Sequence, residues 1–315
     1  MINRRHIRLK IMQYLYALEM SGFEDTKEHH KNLEESIQSI HHLFLLQISF
    51  LFEILKKSKF TYKVSKESIS GNISLKYSNE KFHKNQFLNE LHNNKKIQDT
   101  IRKCNYIDWG ADYKYVNMIY EKIINHKIYS EYLNEKNNSF EIDLKFIYNI
   151  FKNLIVEDDK FQLFIEEKNL YWVDDFALSN SLILKFFNCC KSKSSKNCFY
   201  FELFSDPKDK KFSNTLANYS LNNFKENNNL IEKYLTNWDI ERIAKIDLVI
   251  INIAITELKY FNEIPVKVSL NEYIEISKDY STKKSNIFIN GILDKIVKDL
   301  IKNNLIIKEG RGLRE

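Results

Sequence analysis

The side chains best suited to chemistry stand at the start of the chain: Arg4, Arg5, Arg8 and Lys10, followed by Gln13 and Tyr16. Guanidinium and ammonium groups pair with phosphates, and a tyrosine ring stacks on an unpaired base, so the combination suits single-stranded RNA. The first 22 residues set these four cations against Glu19 alone, a local net charge of +3, while residues 237–302 hold ten basic and ten acidic side chains. Half of the chain's net charge of +6 therefore resides in one segment. Read from these residues alone, a solvated amphipathic helix with no nucleic-acid partner accounts for the pattern equally well.

Catalytic chemistry has no comparable footing. The 315 residues include only 6 Gly, and apart from Gly310 and Gly312 they are isolated, so neither a phosphate-cradling loop nor a dinucleotide fingerprint can be written. The pairs His29–His30 and His41–His42 are sequence neighbours, which on a helix point about 100° apart and do not converge on one ion. Cys104, Cys189, Cys190 and Cys198 form no CxxC pair, and reduced structural thiols in a cytoplasmic protein are the expectation. The sequence thus predicts a non-enzyme with no cofactor and no metal. The net +6 suits a polyanionic partner without requiring one.

The elements that must position the basic cluster read as helices. Gly and Pro together number 8, too few to punctuate a many-stranded sheet. Over residues 3–20, Ile7, Ile11, Tyr14, Leu15 and Leu18 fall on one stripe facing a core, which places Arg5, His6, Lys10, Gln13 and Tyr16 on the solvent side. Arg4 and Arg8 lie at the stripe's margins, where they can flank the core or reach solvent. A second helix is predicted over about 29–57, in which the stretch LFLLQISFLFEIL is apolar nearly all round yet too short in apolar length for a bilayer. Helical stretches follow at about 113–127, 144–154, 174–190 and 211–234. The polar run at 191–197 reads as a loop, and Asp206-Pro207 as a turn. Thr236 with Asp239, and Ser269 with Glu272, read as helix starts. Between them Ile243, Ile246, Ile250, Ile253, Ala254, Leu258 and Phe261 recur at helical spacing until Pro265, and a last helix is predicted over about 284–303. The resulting plan is all-α: N-terminal helices over 1–59, inserted helical material over 60–206, a C-terminal helical subdomain over 207–303 and a flexible tail over 304–315.

The segment 240–296 resembles the C-terminal half of the NusB family. In order it presents Ala254-x-x-Glu257-Leu258, Ile264-Pro265-x-x-Val268, Asn271-Glu272 with Ile276-x-Lys278, and Phe288-Ile289-Asn290-Gly291-x-Leu293-Asp294. The opening RRHIRLKIMQYLYALE resembles the family's first helix, and 211–235 more weakly resembles its connecting helix. The resemblance implies a NusB-like bundle of two helical subdomains, here carrying an additional helical insertion. It also implies a transcription antitermination factor that binds boxA-type single-stranded RNA together with the ribosomal protein NusE, and that joins other Nus factors on elongating RNA polymerase, notably on ribosomal RNA operons. Carried over residue by residue, the RNA-facing arginines correspond to Arg4, Arg5 and Arg8, with Lys10 and Gln13 beside them. The aromatic contact corresponds to Tyr16, the phenylalanine near the RNA-binding edge to Phe288 with Asn290 following it, and the acid facing NusE to Asp247. Phe288 can equally be a packing residue, and Asn290-Gly291 can serve close helix approach. Where some members carry an acid just before Ser285, this chain has Lys284, which adds a phosphate contact or is neutral.

Two other classes compete. Some ribosomal RNA cytosine methyltransferases carry a NusB-like domain ahead of a catalytic domain, but such an enzyme needs glycine-rich cofactor turns after the bundle, and here the chain ends soon after the last family helix. A purely protein-binding helical module is the other, distinguished by weak salt dependence of its binding.

Overall fold

The computed structural model describes residues 2–24, 26–67, 75–104, 107–190, 203–204, 206–235 and 240–313. The expected start at Thr236 with Asp239, the loop at 191–197 and Cys198 lie outside these. The fold is all-α. Its helices are α1 (Arg4–Met20), α2 (Thr26–Glu67), α3 (Leu75–Ser78), α4 (Gln86–His92), α5 (Lys95–Arg102), α6 (Trp109–Ile124), α7 (Lys127–Asn134), α8 (Phe140–Ile150), α9 (Asp159–Lys168), α10 (Trp172–Cys189), α11 (Pro207–Asn222), α12 (Phe224–Glu232), α13 (Lys245–Tyr260), α14 (Val266–Tyr280) and α15 (Ser285–Lys302). By packing the chain divides into two units, Met1–Ile37 with Phe204–Glu315, and Gln38–Leu203. The division falls within α2, earlier than the break after residue 59 expected from sequence.

In the first unit α13 is the central helix, and α1, α11, α12, α14 and α15 all pack on it. Leu248, Val249, Ile250, Ile251, Ile253, Ala254, Ile255 and Leu258 are buried, so this helix has almost no solvent side. A helix apolar all round requires neighbours on every side. Polar groups on it must then find partners within the protein. Asn252 donates to Phe224 O at 3.0 Å, and Asn227 donates to Asn252 Oδ1 and Thr256 Oγ1, each at 3.0 Å, which fixes α12 against α13.

Several boundaries differ from expectation for local reasons. The helix expected over 211–234 is two, divided at Asn223, whose side-chain amide turns back on the end of α11 and donates to Tyr219 O at 2.8 Å. Asp206 does not merely precede a turn; it caps α11, accepting from Lys208 N at 2.8 Å, with Pro207 in the first helical position. Ser269 does not start a helix. It lies buried inside α14, which begins directly after Pro265. The tail is not loose: Lys308 Nζ donates to Leu258 O at 3.1 Å and Phe261 O at 3.0 Å, supplying donors to the last carbonyls of α13. Glu309 N donates to Asn262 O at 3.0 Å. Gly312 lies so close to this turn that a Cβ there would sit 1.9 Å from Asn262 O.

The second unit is organised around α2 from Gln38 onward. Its apolar stretch contains an 18-residue window of mean hydropathy 1.3, enough by length and composition to cross a membrane, contrary to the sequence reading, but 78% of that window is buried inside the protein. Phe50 packs on Trp109 and Phe161 with ring centroids 5.1 and 4.5 Å apart. The polar residues of this face are satisfied by the segment that follows: Trp109 Nε1 donates to Ser49 Oγ at 2.9 Å, Trp172 Nε1 to Ser39 O at 2.9 Å, and Gln47 exchanges hydrogen bonds with Asn180 and Ser179, both at 2.6 Å. These contacts are why residues 38–59 belong with the insertion. Beyond Lys57 the helix continues to Glu67 through a mixed sequence, SKFTYKVSKE, in which Lys alternates with polar and isolated apolar residues and no continuous apolar stripe forms.

Candidate nucleic-acid interface

Helix α1 starts where the basic cluster starts. Asn3 Oδ1 accepts from His6 N at 3.2 Å, and Asn3 N donates to His6 Nδ1 at 3.4 Å, a reciprocal cap. The first turn therefore carries Arg4 and Arg5 and no acid, so two cations add to the positive end of the helix dipole. Acids from other helices compensate. Arg4 Nε donates to Asp209 Oδ1 at 3.0 Å, and its guanidinium lies 4.9 Å from the centre of the Phe212 ring. Arg5 Nη2 stands 3.6 Å from Asp279 and 4.0 Å from Glu275, and all three side chains are well exposed. Exposed pairs of this kind are worth roughly 0–1 kcal/mol, so a phosphate can replace those carboxylates at little cost.

Arg8 behaves differently. Only 3% exposed, it forms a bidentate pair with Glu257 of α13, Nε and Nη2 each 2.7 Å from a carboxylate oxygen. Ser269 Oγ and Tyr273 OH, both from α14, donate to the same carboxylate at 2.7 and 2.8 Å. Burial opposes ionisation of Glu257, but the Arg8 charge and these hydrogen bonds outweigh it and hold the carboxyl below its ordinary range. Burial and the Glu257 charge push the Tyr273 phenol well above its ordinary value, so it remains a hydrogen-bond donor. The sequence places Arg8 among RNA contacts; the structure uses it to fasten α1 to α13 and α14. At the other end of α1, Lys245 Nζ donates to Glu19 at 2.7 Å.

Lys10 also departs from the sequence reading, because it is 2% exposed rather than on the solvent side. Its backbone lies on the flank of α1 that enters the core beside Ile7 and Ile11, and the long side chain follows. Asp247, expected to face a protein partner, is 4% exposed and accepts from Ser281 Oγ at 2.5 Å. Its position in the first turn of α13 favours a carboxylate there, and the turn after α14 closes over it. Tyr16 is exposed, and Gln13 is half-buried on the same helix. Arg5 and Tyr16, eleven residues apart on α1, project in directions about 20° apart and are separated by about 16 Å along its axis. On α15, Lys284 at the N-cap and Asn290 are exposed, while Phe288 is half-buried.

Sequence reasoning recorded Glu257 as part of a motif and gave Tyr273 no role. The signal was present: a carboxylate flanked by Ala254 and Leu258 on an all-apolar helix needs a cation from elsewhere, and Arg8 stands at the edge of a core stripe.

The first unit therefore belongs to the class of all-helical proteins in which a basic N-terminal helix is fastened by a buried ion pair to a C-terminal helical core. The family model described as the NusB family matches residues 189–298. The transcription antitermination protein NusB of Salinibacter ruber is 44% identical over 108 residues, covering 34% of this chain and 68% of that protein. Its namesake from Chloroherpeton thalassium is 39% identical over 121 residues, 38% of this chain and 57% of that one. That of Natranaerobius thermophilus is 41% identical over 88 residues, 28% and 63%. A solved structure of T. maritima NusB is 34% identical, covers 32% of this chain and 70% of its own, and has a TM-score of 0.30. The chain spans between 57% and 68% of the length of the curated relatives. It belongs to the NusB family.

Proposed function

We propose that the chain is a non-catalytic transcription antitermination factor that binds boxA-type single-stranded RNA together with the ribosomal protein NusE, and so joins other Nus factors on elongating RNA polymerase at ribosomal RNA operons in the cytoplasm. The relatives' name, transcription antitermination protein, supports the process. The observation that carries the RNA surface is the solvent side of α1, where Arg5 and exposed Tyr16 project from one side of a helix that Arg8 and Glu257 hold rigidly. Arg5 would exchange its exposed acids for a phosphate, Tyr16 would stack on a base, and Arg4 and Gln13 would flank them. Lys284, Asn290 and Phe288 on α15 are the second candidate group. Arg8 and Lys10 are withdrawn from this surface by burial, and Asp247, read as the acid facing NusE, is buried as well.

Arg5→Ala combined with Tyr16→Ala is expected to weaken binding of a fluorescein-labelled boxA-type RNA several-fold in an anisotropy titration with NusE present, leaving the thermal melt unchanged because both side chains reach solvent. Unchanged affinity would remove α1 from the RNA surface. Affinity should also fall steeply as salt rises, since released counterions drive phosphate contacts.

A further inference from the structure

The strongest positive field of the sequence lies in the second unit, outside the surface just described. Residues 56–103 contain twelve Lys and Arg against four Asp and Glu, a net charge of +8, more than the +6 of the whole chain. The structure arranges part of it. Lys56, Lys59, Lys63 and Lys66 follow one another on α2 at intervals of three and four, so they form one stripe, and all four are exposed. The stripe extends about 15 Å along the helix.

An apolar ring stands beside these cations without being covered. Phe60 is 61% exposed, lies next to Lys56 and Lys63 on the helix surface, and has the Lys57 ammonium 5.8 Å from its centre; Val64 beside it is 46% exposed. The edge of the stripe is braced by α4 and the turn before it. Lys59 Nζ donates to Asn89 Oδ1 at 3.0 Å, and the Tyr62 ring packs on His83 with centroids 4.4 Å apart. The acids nearby are engaged with individual cations: Glu53 with Lys56 at 2.7 Å, Glu67 with Lys63 at 3.8 Å and Glu80 with Lys84 at 2.9 Å. These are helix-surface pairs of small worth, which a polyanion can displace.

We propose that this face of α2 is a second, sequence-tolerant binding surface for single-stranded RNA, in which the lysine stripe follows the backbone and Phe60 stacks on an unpaired base. A bare lysine stripe would take any polyanion; an uncovered aromatic ring set among the lysines favours a strand whose bases are free to stack. The choice of RNA over DNA rests on the antitermination reading, whereas the charge and stacking argument does not. The surface gives the inserted segment a task that the family's own helices do not need it for, holding transcript that lies outside the boxA element.

The test uses the full-length chain and a labelled twelve-nucleotide uridine RNA, which contains no boxA-like sequence. Lys59→Ala/Lys63→Ala/Lys66→Ala is expected to weaken binding at least tenfold and to lower the slope of log affinity against log salt by about 2, given ~0.7 per phosphate on a single strand. Phe60→Ala is expected to weaken binding at least fivefold with the slope unchanged, and to leave binding of a uridine–adenine duplex of that length unaffected. Arg5→Ala/Tyr16→Ala should bind this RNA as the wild type does, so a failed boxA surface and a failed lysine stripe give different results. Wild-type affinity in the triple lysine variant overturns the proposal. So does binding of vesicles of phosphatidylserine and phosphatidylcholine without binding of the uridine RNA.

Discussion

Arg8→Ala is expected to destabilise the first unit by about 3–5 kcal/mol, the usual cost of removing one partner of a buried ion pair. The size follows from what remains. Glu257 is fully buried on α13, and without Arg8 its carboxylate retains only the hydrogen bonds from Ser269 and Tyr273, too little to replace a bidentate cation at 2.7 Å. Arg8 also covers Phe212 and Tyr273 with its guanidinium, 5.3 and 5.9 Å from their ring centres, so truncation opens space beside two aromatic rings. Urea unfolding followed by hydrogen exchange in α1 and α13 measures the loss. Arg8→Met with Glu257→Leu together should recover part of it, because an apolar pair leaves no charge stranded, although the buried Ser269 and Tyr273 hydroxyls lose their acceptor. A loss below about 1 kcal/mol would mean that the pair is not what fastens α1.

The second large effect belongs to the other unit. Trp172→Ala is expected to cost about 3–5 kcal/mol, the range for truncating a buried Trp or Phe. Trp172 is 0% exposed, and its Nε1–H donates to Ser39 O inside α2, so the variant leaves a cavity and loses a hydrogen bond that ties α10 to α2. Hydrogen exchange should show faster opening of α10 and of α2 beyond Gln38, with α13–α15 of the first unit unaffected. Equal loss of protection in α13 would mean that the two packing units unfold as one.

The long elements were legible in the sequence because their apolar residues recur at one period. The stripe on α1 and the broad apolar side of α15 each emerge within one residue of the expected bounds, whereas the all-round apolar α13 begins only at Lys245, after a separate turn at Ile240–Arg242, and not at the start read from Thr236 and Asp239. What escaped was decided by contacts across the chain. The break at Asn223 depends on a side chain folding back on its own helix, and the fastened tail depends on Lys308 reaching carbonyls some fifty residues earlier. Ser269 has the composition of a cap, but its hydroxyl is used by Glu257 instead. The site divided along the same line. A helical projection separates Arg5 and Tyr16 from the core stripe correctly, and it cannot tell that marginal Arg8 meets a buried acid 249 residues away. Burial of Lys10 and Asp247 likewise depends on neighbours that periodicity does not reveal. The reach of α2 to Glu67, and with it the exposed lysine stripe, was hidden because residues 58–67 mix lysines with polar and isolated apolar side chains and leave no apolar periodicity.

The central claim is that the solvent side of α1, held in place by the Arg8–Glu257 pair, carries the RNA. Its most direct test is photo-crosslinking of boxA-type RNA containing 4-thiouridine to the full chain with NusE bound, with adducts located by mass spectrometry. The account predicts an adduct at Tyr16 or at a residue beside it on α1, abolished by excess unlabelled boxA RNA. Specific adducts confined to other helices, with none on α1, would contradict it.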